Sequence, residues 1–244
     1  MNKQLIEKVL CKAKTAKIAI IGDFCLDVYW FLNEIAAEKS LETGLSTWPI
    51  SQQEYSLGGA GNIVNNLNTL GCKDLLAFGI IGNDPWGEKL MQKLNELNVN
   101  SEGMIIQEQC WDTPSYVKPY KGKNELNRID FGNFNKLDSQ TLNRLLSLLE
   151  QNLQNQDIVI ISQQIAGSLF VDEFIEKLLI LIDKFCDTLF IVDSRHNSDD
   201  FPSAILKLND FTAERMVGNK NPKATILSRE NAIKTAKKLY KKFK

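Results

Sequence analysis

Two short stretches of this 244-residue chain carry the side chains and bare backbone that can grip alcohol groups. Gly22-Asp23-Phe24-Cys25-Leu26-Asp27 sets two carboxylates just beyond an apolar run. A carboxylate accepts two hydroxyl hydrogen bonds, and such charge-assisted bonds are strong. Asp27 is the better candidate, because Asp23 also reads as the cap of a turn. The second stretch, Gly58-Gly59-Ala60-Gly61-Asn62, opens a helical pattern. Glycines let backbone approach a ligand, and the first N–H groups of a helix have no partner within it. Asn62 offers a donor and an acceptor, which suits a hydroxyl. The alternative for this stretch is a tight turn required by helix-sheet packing.

Other chemistries are tested and set aside. Gly82 and Gly87 have P-loop spacing, but Glu88-Lys89 follows where Lys-Ser/Thr is required. No G-x-G-x-x-G follows a strand pattern, and no serine sits in a G-x-S-x-G elbow. The single histidine, His196, rules out a histidine metal cluster and reads as a loop side chain. Its neighbour Arg195, at the end of a strand pattern, is placed to meet a phosphate.

The elements that must position these residues follow from periodicity. Residues 2–14 have helical spacing, and Lys17–Gly22 is a β-branched run that reads as a buried strand. Residues 28–55 lack a helical period and read as short strands. Strands are expected at 75–81, 158–162, 188–193 and 206–209, with 114–120 and 125–131 paired around a turn. Helices are expected at 84–97, 138–152, 171–185, 212–217 and 229–243, the first with Asp84 as N-cap and Pro85 behind it. Alternating strands and helices predict an α/β fold, a mostly parallel sheet with helices on both faces. Ligands in such folds sit beyond the carboxyl ends of the strands.

Composition narrows the class. Hydrophobic residues make up 43% of the chain, enough for a sizeable core, and 29 basic residues balance 30 acidic ones. No charge field argues for nucleic acid or a membrane surface. Five cysteines without a C-x-x-C pair read as reduced thiols in a cytoplasmic protein. The lysine-rich final helix reads as a solvated face.

The order GDFCLD, a strand excursion, GGAGN opening a helix, then FGIIGND resembles the PfkB (ribokinase-like) carbohydrate kinases. GDFCLDVYW and NRIDF at 127–131 most resemble the heptose-phosphate kinase branch. The resemblance runs over nearly the whole chain. It implies a single ribokinase-like domain over 1–244, with 28–55, and 114–131 as a second contributor, forming a small β lid that often builds a homodimer. It implies that Asp27, Gly58, Gly59 and Asn62 bind a sugar or sugar phosphate. It places Asn209 near the phosphates of ATP and Mg²⁺, and Arg195, read above from its strand-end position, is the other nucleotide-binding candidate. The family's Asn-x-x-Glu reads Asn209-Asp210-Phe211-Thr212 here, Glu214 is offset by two, and Val64 stands where a small residue is usual. The Gly-Ala-Gly-Asp turn that supplies an anion hole and the aspartate base is not in these 244 residues, since Gly59–Asn62 reads GAGN. Truncation of a kinase domain is therefore expected, with no catalytic residue of its own, an unpaired sheet edge, poor solubility and no turnover. The alternative is a non-catalytic sugar-binding or regulatory relative, and a third reading is a generic nucleotide-binding α/β domain.

Overall fold

A computed structural model describes residues 3–166, 169–219 and 228–243. Among them, helix α1 (Lys3–Ala13) precedes β1 (Lys17–Gly22), β2 (Phe24–Leu32) and β3 (Ile50–Gly59). Next come α2 (Ala60–Thr69), β4 (Asp74–Gly82), α3 (Pro85–Glu96), β5 (Asn100–Gln107) and β6 (Ser115–Lys121). The short strands β7 (Asn124–Glu125) and β8 (Ile129–Phe131) lead to α4 (Ser139–Leu153) and β9 (Ile158–Gln163). The chain continues through α5 (Asp172–Lys184), β10 (Leu189–Ser194), β11 (Ile205–Leu206), α6 (Asp210–Met216) and α7 (Arg229–Lys242).

The main sheet runs β11-β10-β9-β1-β4-β5, and every pairing in it is parallel. Its central strands are apolar on both faces, as a doubly covered parallel sheet requires. On one face Leu142, Leu145 and Leu149 of α4 and Phe174 and Leu178 of α5 pack against Ala19, Ile21 and Val159. On the other, Leu90 and Leu94 of α3 and Val64 of α2 pack against Ile18, Ile20 and Ala77. Val64 is fully buried there.

A second sheet, β3-β2-β6-β7 with β8 on β6, forms the small β lid. Its strand β2 starts one residue after β1 ends, so the lid grows directly out of the core. Leu26, Val28 and Trp30 turn one face of β2 into the core, leaving the alternate residues Cys25, Asp27, Tyr29 and Phe31 on the other. Of the 28–55 excursion, only 28–32 (in β2) and 50–55 (in β3) are strand; Lys39 and Ser46 form an isolated bridge between them.

Three expectations shift. Asp27 lies inside β2 and not at the tip of β1. β5, which no sequence pattern announced, forms one edge of the main sheet. The strand expected at 206–209 is the pair 205–206, because Asn209 is taken as the N-cap of α6. Helix α1 forms at the expected place, although Leu5 and Val9 stay 56% and 57% exposed. All five cysteines are free, and no described helix is long and apolar enough to cross a membrane.

Fully buried Leu145 and 66%-exposed Ile180 give a direct test of this layering. Leu145→Ala is expected to cost about 2–5 kcal/mol, against within about 0.5 kcal/mol for Ile180→Ala. Urea unfolding followed by circular dichroism measures both, and equal midpoints would contradict the packing described.

Candidate functional site

Asp23 sits between β1 and β2 and is buried, at 4% exposure. Its Oδ2 accepts from the backbone N–H of Gln164 at 2.7 Å and of Ile165 at 2.8 Å. Its carbonyl accepts from Ala60 N–H at 2.9 Å, and its own N–H donates to the Ser162 carbonyl at 3.0 Å. Asp23 thereby ties β1, the exit of β9 and the start of α2 together. Gly59 makes this contact feasible. A Cβ there would stand 2.1 Å from the Asp23 carbonyl oxygen, and the backbone has φ 54°, ψ −127°. That conformation is open essentially to glycine alone.

Across the lid sheet, pairing places Ser56, Asp27, Tyr116 and Asp130 in one row over β3, β2, β6 and β8. Asp27, Tyr116 and Asp130 line a cavity of about 640 Å³, a size usual for small-molecule sites. Asp27 Oδ1 accepts from Lys118 Nζ at 2.7 Å. A Cβ on Gly58 would come within 2.9 Å of Asp27 Oδ2 and 2.7 Å of Cys25 Sγ, so bare backbone is what accommodates both groups. Gly59, Asn62 and Asn66, at the mouth and in the first turns of α2, line the same cavity. The carboxyl ends of β9 and β10 supply Ser162, Gln164, Asp193 and Arg195, and Lys207 closes that side.

Apart from Arg195, the charged side chains lining the cavity are paired. Arg128 donates to Asp130 through Nε at 2.5 Å and Nη2 at 2.6 Å, and lies 4.4 Å above the Tyr116 ring centre. Lys207 reaches Asp193 at 2.7 Å, and Arg195 Nε donates to Gln164 Oε1 at 2.8 Å. Burial, then the charges of Asp27 and Asp23, push the Cys25 thiol up to about 12. Burial first, then neighbouring Cys25, push the Tyr116 phenol up to about 12 as well. Both groups therefore stay neutral around pH 7. Burial alone pulls the Lys118 ammonium down, but its hydrogen bond to Asp27 and that carboxylate's charge outweigh burial and raise it.

A model of the pfkB family carbohydrate kinases matches residues 15–244. The chain belongs to this family. The bifunctional protein HldE of Sulfurimonas denitrificans is 31% identical over 160 residues, 66% of this chain and 33% of that protein. HldE of Trichlorobacter lovleyi is 29% identical over 170 residues, covering 69% and 34%. The chain thus spans about a third of the length of these curated relatives. In fold it is similar to Escherichia coli phosphofructokinase-2, solved with substrates and products, with TM-score 0.64, 17% identity and coverage of 93% and 69%. Arabidopsis thaliana ribokinase, solved with ribose and ATP, gives TM-score 0.63, 16% identity and the same coverages.

Within this PfkB-family fold, Asp27, Gly59, Asn62 and Arg195 share one cavity, and Gly58 underlies Asp27. Asn209 does not join them. Its Oδ1 accepts from Thr212 N–H at 2.8 Å, capping α6, and it lines a separate groove of about 600 Å³ between β11, α6 and α7. Thr212 is buried, and Glu214 accepts from the Thr235 hydroxyl at 2.8 Å and from Asn219 at 3.0 Å. No three described His, Cys, Asp or Glu side chains are grouped to hold a metal ion.

Sequence reasoning did not single out Tyr116, Lys118, Arg128 or Asp130. Alternation in 115–121 was the available signal. The parallel pairing of β6 with β2, which brings Lys118 to a residue 91 positions away, leaves no local trace.

Gly59→Ala is expected to lower unfolding free energy by about 2 kcal/mol or more, from the backbone conformation and the blocked carbonyl; an unchanged urea midpoint would contradict it. The raised Cys25 value has a defined sign. The folded state prefers the neutral thiol, so its contribution is intact below an ordinary thiol value and is lost as pH climbs toward about 12. At pH 8, Ellman's reagent should titrate exposed Cys11, Cys110 and Cys186 quickly and Cys25 only on unfolding. Rapid labelling of Cys25 in the folded chain is the contrary result.

Proposed function

We propose that this chain is the sugar-binding part of an ATP-dependent carbohydrate kinase, acting on a hydroxyl of a sugar or sugar phosphate. The observation that carries this reading is the one cavity lined both by Asp27 of the lid strand β2 and by Asn62 in the first turn of α2. Asp27 accepts hydrogen bonds from ligand hydroxyls, Asn62 both donates and accepts, and Gly58 and Gly59 let the ligand approach backbone. Arg128, Arg195 and Lys207 offset the charge of a phosphate on the ligand. The neutral Tyr116 phenol adds a donor.

Phosphoryl transfer rests on positioning and charge stabilisation. ATP with Mg²⁺ would supply the phosphoryl group and neutralise its charge. Each carboxylate lining the cavity already holds a cation, and an acceptor committed to a salt bridge is poorly placed to take a hydroxyl proton. The five free thiols fit a reducing cytoplasm. A homodimer through the lid remains part of this proposal.

A second reading, a sugar-binding relative without catalysis, draws on Thr212. This residue is buried where the family's acid is expected, and Glu214 is engaged with α7.

Calorimetry of the 244-residue chain against sedoheptulose 7-phosphate, fructose 6-phosphate and ribose tests the binding claim. At least one should bind, and Asp27→Ala should weaken it about tenfold or more. A coupled ADP-release assay on the same chain should show no turnover. Nucleotide binding with no sugar preference would overturn the binding claim, and sustained ADP release would overturn the claim of inactivity.

A further inference from the structure

Lys118 lies outside the family-implied set, yet it makes the shortest polar contact to the central carboxylate of the cavity. Lys118 and Asp27 come from strands paired in parallel, where Asp27 faces Tyr116 and Tyr29 faces Lys118. The ammonium therefore reaches diagonally across one register step to Asp27 Oδ1, at 2.7 Å. It also lies 5.0 Å above the centre of the Tyr29 ring. Both side chains of the pair are only 19% exposed. Oδ2, the other carboxylate oxygen, lies beside Gly58, where a Cβ would come within 2.9 Å of it.

We infer that Lys118 is a positioning residue, which fixes the rotamer of Asp27 by holding Oδ1 and so turns Oδ2 toward the ligand. This rests on the sugar-binding reading of the cavity. The physical case is steric and electrostatic. A carboxylate on a half-open strand rotates about its terminal bond at little cost. A charge-assisted hydrogen bond at low exposure removes that freedom, and the Tyr29 ring backs the ammonium so that it has one place to sit. Asp27 then presents one oriented acceptor to the cavity, a preorganised hydroxyl receptor.

Lys118→Met, Lys118→Arg, Asp27→Asn and the Lys118→Met/Asp27→Asn double variant test this by titration with sedoheptulose 7-phosphate. Lys118→Met should weaken binding about tenfold, and Lys118→Arg should recover most of that loss. In the Asp27→Asn background, Lys118→Met should change binding less than about twofold, because the coupling is gone. Equal losses in both backgrounds would overturn the inference, since Lys118 would then act on the ligand directly or through general stability. A ligand-independent measurement separates this from the parent reading. Acetic anhydride labelling read by mass spectrometry should find Lys118 slow in the wild-type chain and several-fold faster in Asp27→Asn. If the wild-type chain binds no sugar, the sugar-binding reading fails and labelling alone decides. Unchanged Lys118 labelling in Asp27→Asn refutes the pair as a positioning device.

Discussion

One buried carboxylate organises the site. Asp23 joins the end of β1, the exit of β9 and the first residue of α2 through four short hydrogen bonds, two of them to its side chain. Backbone N–H groups buried at strand exits need partners, and leaving one unmet costs about 1–3 kcal/mol. Asp23 meets them, and in doing so it sets the spacing between sheet and helix. Gly59 and Gly22 are consequences of that spacing. A Cβ on Gly22 would stand 2.1 Å from the Ser162 carbonyl oxygen, as one on Gly59 would from that of Asp23. The cavity is what remains between elements drawn this close.

Upon that frame the lid contributes the polar wall. Its pleat separates two sets of side chains, with Leu26, Val28 and Trp30 in the core and Cys25, Asp27 and Tyr29 on the cavity side. The wall is densely charged yet close to neutral locally. Asp27, Asp130 and Asp193 each hold a cation at 2.7 Å or less. Arg195 is held by the neutral amide of Gln164 and not by a carboxylate.

Much of this was legible in sequence. Runs such as KIAIIG and the Asp84-Pro85 helix start dictate their elements locally, through β-branching and capping. The glycine-rich mouth of α2 was also visible, because a cluster of glycines has few other uses. β5 was not, since Asn100-Ser101-Glu102-Gly103 opens it without apolar alternation and its pairing with β4 is what makes it a strand. Lys118 and Arg128 escaped notice for a related reason. They reach the cavity through a register between distant strands, and a surface lysine and a site lysine look alike until that register exists. Asn209 shows the converse. An Asn at a helix start is a strong N-cap whatever else it does, and here the cap occupies its side-chain oxygen.

The direct passage from β1 into β2 carries a mechanical consequence. With only Asp23 between them, and that residue bonded on both sides, there is no slack joint at the root of the lid. A cover fastened in this way cannot swing as a door does. Any bending of the lid falls to β2 and β3 themselves, whose ends away from this root are Leu32 and Ile50. The acidic group at Asp27, three residues past the fixed end of the strand, stays nearly still while the far rim travels.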